Sequence, residues 1–286
     1  MISKGGDDVS SRVRAFYEGC SFPGYEEFET PVDLAEKAKR GIYAKSVDEH
    51  LPLGVRILDA GCGTGQLAIF LSIVNRTVLG IDFSYNSLAK ANDFKKRFHL
   101  NNVSFAQMDL FHCALKEESF EYIFCNGVLH HTADAYRGFQ SLCRLFKPGG
   151  YIIVGLYNTY GRVLLNLRRW IFNSTKDRLI WLDFFMRQKS LGEHKRRVWF
   201  LDQYRNPHET TFTVGEVLNW FEQNNIDYVN SIPKISLDQR FNVKERLFET
   251  LDRGTPLHHL LCQVGWIFTE GKEGGFFITI GRKRCP

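Results

Sequence analysis

Residues 55–65 read VRILDAGCGTG. An apolar run reaches an acidic residue, Asp59, and then three glycines at two-residue spacing, Gly61, Gly63 and Gly65, with Cys62 between the first two. Glycine enters left-handed backbone conformations without a Cβ penalty and lets main chain close on a ligand, so the run reads as a buried strand feeding a ligand-binding loop. Leu67, Ala68, Phe70 and Leu71 then supply one apolar helical face. The unit is strand, glycine loop, helix, and its ligand belongs at the carboxyl end of a parallel sheet. Taken alone, the same glycines also describe an ordinary tight strand-to-helix turn.

The residues downstream extend the pattern. Residues 77–83, TVLGIDF, read as a second buried strand ending at Asp82 and Phe83. Asp82 lies about 20 residues past the glycines, the separation at which a carboxylate meets a ribose diol. Residues 103–108 form a third strand that ends at Met108 before Asp109. Residues 120–128 form a fourth that passes Asn126 and opens into Leu129, His130 and His131, and Lys147-Pro148-Gly149-Gly150 turns into a fifth over residues 151–157.

In this order the segments resemble the class I S-adenosylmethionine-dependent methyltransferases, of the small-molecule type 11/12-like kind. ILDAGCGTG resembles their first motif, the Asp82 strand end their second, QMD at 107–109 their adenine-contacting segment, and LFKPGGYIIV their fifth-strand signature. The resemblance covers residues 51–158 tightly. It implies a Rossmann-like α/β fold, a seven-stranded sheet whose last strand runs antiparallel, and S-adenosyl-L-methionine as cofactor. The cofactor-binding residues it implies are Asp59, Gly61, Cys62, Gly63, Gly65, Asp82, Phe83, Met108, Asp109 and Asn126. Gly63-Thr64-Gly65 followed by Ala68 also fits the looser G-x-G-x-x-A spacing of nicotinamide-dependent dehydrogenases. A pyrophosphate is poorly matched to an acidic mouth, however, and Asp59, Asp109 and the proline-glycine turn before the fifth strand favour a sulfonium cofactor.

The chain has 286 residues, long for one domain yet within the range of elaborated α/β folds. Hydrophobic residues at 44% and charged residues at 24% are those of an ordinary soluble globule. The polar start, MISKGGDDVSS, lacks a signal-peptide core, and no run approaches membrane-spanning length, so a cytoplasmic location is expected. Seven cysteines without a C-x-x-C pair read as reduced thiols. The nine histidines show no H-x-x-x-H spacing, and no metal is expected.

Four regions are expected: a helical N-terminal cap over residues 1–50, broken by Phe22-Pro23-Gly24 and Pro31; the cofactor-binding core over 51–158; a basic, aromatic lid over 159–212; and a C-terminal part over 213–286 that completes the sheet. The last part carries a helix over 213–225 that Thr213 and Glu216 can cap, a sixth strand over 228–232, an insertion over about 233–271 and a final strand over 275–281. The lid holds the charge asymmetry. Residues 162–205 have a net charge of +7 in a chain of +5, interleaved with Trp170, Phe172, Trp181 and many leucines. That mixture suits a packed lid, a segment lying on anionic lipid, or a patch for an anionic substrate including nucleic acid.

Methyl transfer needs in-line approach of a nucleophile and, for a hydroxyl or an acidic carbon, a base for its proton. Histidine titrates in the right range. His131 and His130, at the mouth of the fourth strand, are candidates, as are Tyr204 and His208 in the polar segment DQYRNPHE at 202–209, which is expected to reach down from the lid. The expected function is methyl transfer to oxygen or carbon of a small molecule, with anionic or lipophilic acceptors included. Two alternatives are tRNA as acceptor, and a protein that binds S-adenosylmethionine for a different reaction. Nothing in the sequence fixes an oligomeric state.

Overall fold

The computed structural model describes residues 4–19, 30–187, 192–242, 245–268 and 275–285. The chain opens with helices α1 (Lys4–Gly19), α2 (Pro31–Lys39) and α3 (Ile42–His50). Strands and helices then alternate: β1 (Arg56–Ala60), α4 (Gln66–Ser72), β2 (Thr77–Asp82), α5 (Tyr85–Arg97), β3 (Val103–Gln107), β4 (Phe120–Asn126), α6 (Ala135–Cys143) and β5 (Phe146–Tyr157). The chain leaves the sheet through α7 (Val163–Ser174), α8 (Phe184–Arg187) and α9 (Glu193–Arg205). It returns through α10 (Val214–Gln223) to β6 (Ile226–Ile232), and then forms α11 (Pro256–Phe268) and β7 (Phe276–Lys283).

The strands lie in the order β3-β2-β1-β4-β5-β7-β6. The first five pair in parallel, and β7 runs antiparallel to both neighbours, as the resemblance implies. Both faces of the sheet are covered, which explains why its strands read as unbroken apolar runs. Ile57 of β1 and Phe124 of β4 enter one core layer with Ile69 and Val78. Their neighbours Leu58 and Ile123 enter the other, with Phe139 and Phe146. The strand order reverses between β1 and β4, and a cleft at the carboxyl ends of those strands is where open α/β sheets bind ligands.

Local chemistry sets several boundaries. Pro31 begins a helix instead of breaking one: Thr30 Oγ1 accepts the Asp33 amide at 3.1 Å, and proline at the first helical position gives up only an N–H that has no helical partner. Phe22-Pro23-Gly24 falls outside the described residues. The helix after His131 is nucleated by Asp134, which caps α6, while Leu129–His131 forms a short 3-10 turn. Strand β5 begins earlier than its Lys-Pro-Gly-Gly turn suggests, at Phe146, with a register shift opposite Phe120 and Tyr122 that absorbs the turn residues. Thr213 and Glu216 form the reciprocal cap expected of them. Among the described residues no helix is long and apolar enough to cross a membrane.

Candidate active site

A cavity of about 1040 Å3 opens at the carboxyl ends of β1, β2 and β4. Of the ten residues expected to hold a cofactor, nine line it: Asp59, Gly61, Cys62, Gly63, Asp82, Phe83, Met108, Asp109 and Asn126. Gly65 instead caps α4 at φ 79°, where a Cβ would stand 2.5 Å from the Phe105 ring. Gly61, at φ 77°, lies so close to Val128 that a Cβ would come within 2.3 Å of its side chain. This loop therefore requires glycine for both backbone conformation and space.

Asp82 organises the loop. Its Oδ2 accepts the Gly63 amide and its Oδ1 the Ser84 amide, both at 2.8 Å, which ties the glycine turn to the end of β2. The Phe83 amide also bonds this carboxylate, and of its roughly four lone-pair sites one is left for a ligand hydroxyl. Burial pushes the Asp82 carboxyl up against the pull of these amides. Asp59 is buried more deeply. Desolvation, with the Asp82 charge adding to it, raises its carboxyl to about 7, and its Oδ2 has no hydrogen-bond partner. Asn126 donates to the Tyr43 hydroxyl at 3.3 Å, and its Oδ1 is likewise unpartnered. Two buried acceptors without donors, one on each of two adjacent strands, fit the ammonium end of a cationic amino-acid ligand.

The far end of the cavity is built by long-range contacts. His131 lines it, buried among Tyr17, Tyr157 and His130. Its Nδ1 lies 2.8 Å from the His208 carbonyl oxygen, which can only accept, so Nδ1 carries the proton and the neutral ring keeps its lone pair on Nε2. Burial lowers the His131 pKa, countered in part by Asp202, so the ring is neutral at pH 7. Helix α9 brings Trp199, Asp202 and Gln203 to the cavity from the lid side, and α1 brings Ser10, Arg14 and Tyr17 from the cap side. The Tyr17 hydroxyl donates to Asp202 Oδ1 at 3.1 Å and accepts from Asn206 Nδ2 at 3.1 Å. At its other bank, Glu18 accepts the Tyr85 and Asn86 amides at the start of α5 at 2.8 and 3.1 Å, and its carbonyl accepts from Asn86 Nδ2 at 3.0 Å.

Behind this wall lies a buried charged network. Arg162 has no exposed surface; its guanidinium stacks 3.6 Å from the Tyr157 ring centroid, pairs with Glu209, and donates to Gln203 Oε1 at 2.6 Å. Gln203 in turn donates to the Tyr157 hydroxyl at 2.9 Å. Arg169 adds a third bond to Glu209, at 3.1 Å, beside the two from Arg162. Together these groups fix the two cavity-facing side chains Gln203 and Tyr157 against the sheet.

Three of the four candidate catalytic side chains lie elsewhere than expected. Tyr204 turns into the lid core with Leu165 and Phe172 and donates its hydroxyl to Asp183, so it does not line the cavity. The reason is helical geometry: at about 100° per residue, Tyr204 points away from the side that carries Trp199, Asp202 and Gln203. The His208 imidazole does not line the cavity either, and this residue meets His131 through its carbonyl. His130 is fully buried with its ring against Tyr157 and both ring nitrogens unpartnered, and its carbonyl anchors Thr210. Only His131 meets the cavity. Tyr17 and Tyr157 were not among the candidates; Tyr157 could be found as the last residue of a strand at the ligand-binding edge, whereas Tyr17 carries no comparable signal.

Residues 53–225 match a protein family described as "Methyltransferase domain". A ubiquinone biosynthesis O-methyltransferase of Paracidovorax citrulli is 32% identical, covering 42% of this chain and 51% of the relative. A tRNA 5-carboxymethoxyuridine methyltransferase of Escherichia coli K12 is 29% identical, covering 67% and 73%. The chain spans between 39% and 62% of the length of the first curated relatives it matches. Among solved structures, PKMT2 of Rickettsia typhi in complex with AdoHcy superposes with a TM-score of 0.59 at 17% identity, covering 87% of this chain and 54% of that one, which supports the same fold. The family match covers more than half of the chain and the sheet order agrees: this chain belongs to the class I S-adenosylmethionine-dependent methyltransferases.

Proposed function

We propose that the protein transfers a methyl group from S-adenosylmethionine to oxygen or carbon of a small-molecule acceptor. The observation that carries this reading is the continuity of the cavity from Asp59, Gly63 and Asp82 at one end to His131, Tyr157 and Asp202 at the other. Its volume stands at the upper end of the roughly 300–1,000 Å3 usual for small-molecule sites, room for a cofactor and a second molecule. The bound cofactor supplies a methyl group on positively charged sulfur. Asp59 and Asn126 would offer their unpartnered oxygens to its ammonium, Asp82 its carboxylate to the ribose diol, and Phe83, Met108 and Asp109 would hold the base. His131, neutral and with Nδ1–H held by the His208 carbonyl, accepts the acceptor's proton at Nε2. Helices α1 and α9 wall the reacting end, where Val128, Trp199 and Phe276 add apolar surface.

Calorimetry with Asp82→Ala tests the cofactor end. Affinity for S-adenosylmethionine should fall by about 1.5–3 kcal/mol, the range for hydrogen bonds to a charged group. An unchanged affinity in a folded variant would refute the assignment.

A nucleic-acid acceptor is the second reading, favoured by the lid's charge and by the tRNA-modifying relative. Against it, Arg162, Arg168, Arg169 and Arg205 are bound to Glu209, Asp183 and Asp177 within the lid, so four of its eleven basic side chains are engaged away from phosphate. Bulk tRNA should therefore be retained weakly, with a shallow dependence on salt. Retention that falls steeply with salt, as counterion release requires, would overturn the small-molecule reading.

A further inference from the structure

We infer that the outer face of the lid seats on an anionic membrane surface and that the acceptor is lipophilic, a conclusion about substrate class that rests on the function proposed above. Helix α7 is inverted relative to an ordinary surface helix. Val163, Leu167 and Trp170 lie within about 60° of one another around its axis and are all exposed, with Leu164 beside them. Its two arginines, Arg168 and Arg169, turn instead toward Asp183 and Glu209. Beyond the helix, Lys176 and Arg178 are exposed, followed by exposed Trp181 and Leu182. Exposed apolar side chains, tryptophans and lysine or arginine within one short stretch are the composition of a segment lying in a lipid headgroup region.

A second apolar stripe rises from the same edge of the sheet. Helix α11 exposes Leu257, Leu260, Leu261, Val264 and Phe268, at helical spacing, and contains no Asp, Glu, Lys or Arg. It is rooted beside α7: Gln263 accepts from Asn158 Nδ2 at 2.8 Å, and Gly161, two residues before α7, packs directly on Gly275 ahead of β7.

Charge selects the occupant. Residues 162–205 sum to +7 and the rest of the chain to −2, and the exposed cations Lys176 and Arg178 stand in the chain between exposed Trp170 and Trp181. A symmetric contact with a second copy through this face would bring two such lids together, like charge against like. An anionic bilayer offers the opposite sign and accepts the exposed leucines and tryptophans without requiring a complementary groove. The lid's other side is the cavity wall, since α7 packs through Leu165 and Phe172 onto Tyr204 of α9, and α9 supplies Trp199, Asp202 and Gln203 to the site. Helices α7 and α9, packed one on the other, therefore separate bilayer from active site.

The full chain should sediment with vesicles of equimolar phosphatidylglycerol and phosphatidylcholine, weakly or not at all with phosphatidylcholine alone, and less as salt rises. The exposed-face variant Leu167→Ser/Trp170→Ser should reduce retention tenfold or more, and Lys176→Gln/Arg178→Gln by about fivefold per charge. Calorimetry with S-adenosylmethionine should give unchanged affinity for both variants; this readout needs no vesicle, and vesicle binding needs no cofactor, so failure of the surface and failure of the cofactor site are told apart. Absence of retention on the mixed vesicles, or retention of Leu167→Ser/Trp170→Ser equal to that of the parent, would overturn the inference. So would a concentration-dependent dimer that the same variant dissociates, with no vesicle binding.

Discussion

Replacing His131 by glutamine is expected to lower kcat by about a hundredfold to ten-thousandfold while leaving affinity for S-adenosylmethionine within about twofold, the pattern of a group that acts on the acceptor's proton in the transition state. Glutamine keeps a side-chain amide for the His208 carbonyl but offers no basic lone pair of comparable strength. The pH profile carries the sign. Burial holds the His131 pKa below its ordinary 6.5, so the basic form persists to lower pH than a free imidazole and the acid limb of kcat should fall below pH 6.5. A kcat for His131→Gln within threefold of the parent, or an acid limb unchanged by the substitution, would remove His131 from the chemistry. The expectation for His208 differs: its contribution is a main-chain oxygen, and substitution of its side chain should matter much less than that of His131.

Arg162→Ala should destabilise the fold by about 3–5 kcal/mol, because it strands a buried carboxylate. Glu209 is 3% exposed and retains only the longer bond from Arg169 once the guanidinium is gone. The loss also frees Gln203 and removes the cation from the Tyr157 ring. Thermal unfolding should shift down by roughly 10 °C for a chain of this size. A shift under about 2 °C would mean that the network is not a unit of stability. Acid titration gives a consistent sign: the two arginines hold the Glu209 carboxyl below its ordinary value, so its stabilising contribution is present above that value and is lost as the pH falls further, through the depressed one.

What the sequence disclosed and what it hid divide along contact distance in the chain. Asp59, Gly61, Gly63, Asp82, Met108 and Asn126 each end a strand or occupy the turn after it, so reading the strand placed the residue at the ligand edge. The acceptor end is different. Tyr17 meets Asp202 across 185 residues and His131 meets His208 across 77, and no local periodicity encodes such pairs. The segment 202–209 stood out for its polarity, yet polarity alone does not say which side of a helix faces inward, and Asp202 and Gln203 line the cavity where Tyr204 does not. The lid's arginines mislead in a similar way: as letters they add to a basic patch, but Arg162 is the largest fully buried side chain described.

The position of α1 fixes how molecules come and go. The helix lies between Asp202 and Asn206 on one bank and the amino end of α5 on the other, with two side-chain hydrogen bonds on the first side and three on the second among the described residues. The lid bank is thus the weaker latch. At about 1 kcal/mol for each bond, parting it costs on the order of 2 kcal/mol, which keeps an open form at a few per cent of molecules. Helix and lid movements of this kind take microseconds to milliseconds, faster than the median turnover of about 10 per second for enzymes in general. Tyr17, whose single hydroxyl makes both bonds of the lid bank, is therefore the latch on which opening of this mouth would turn.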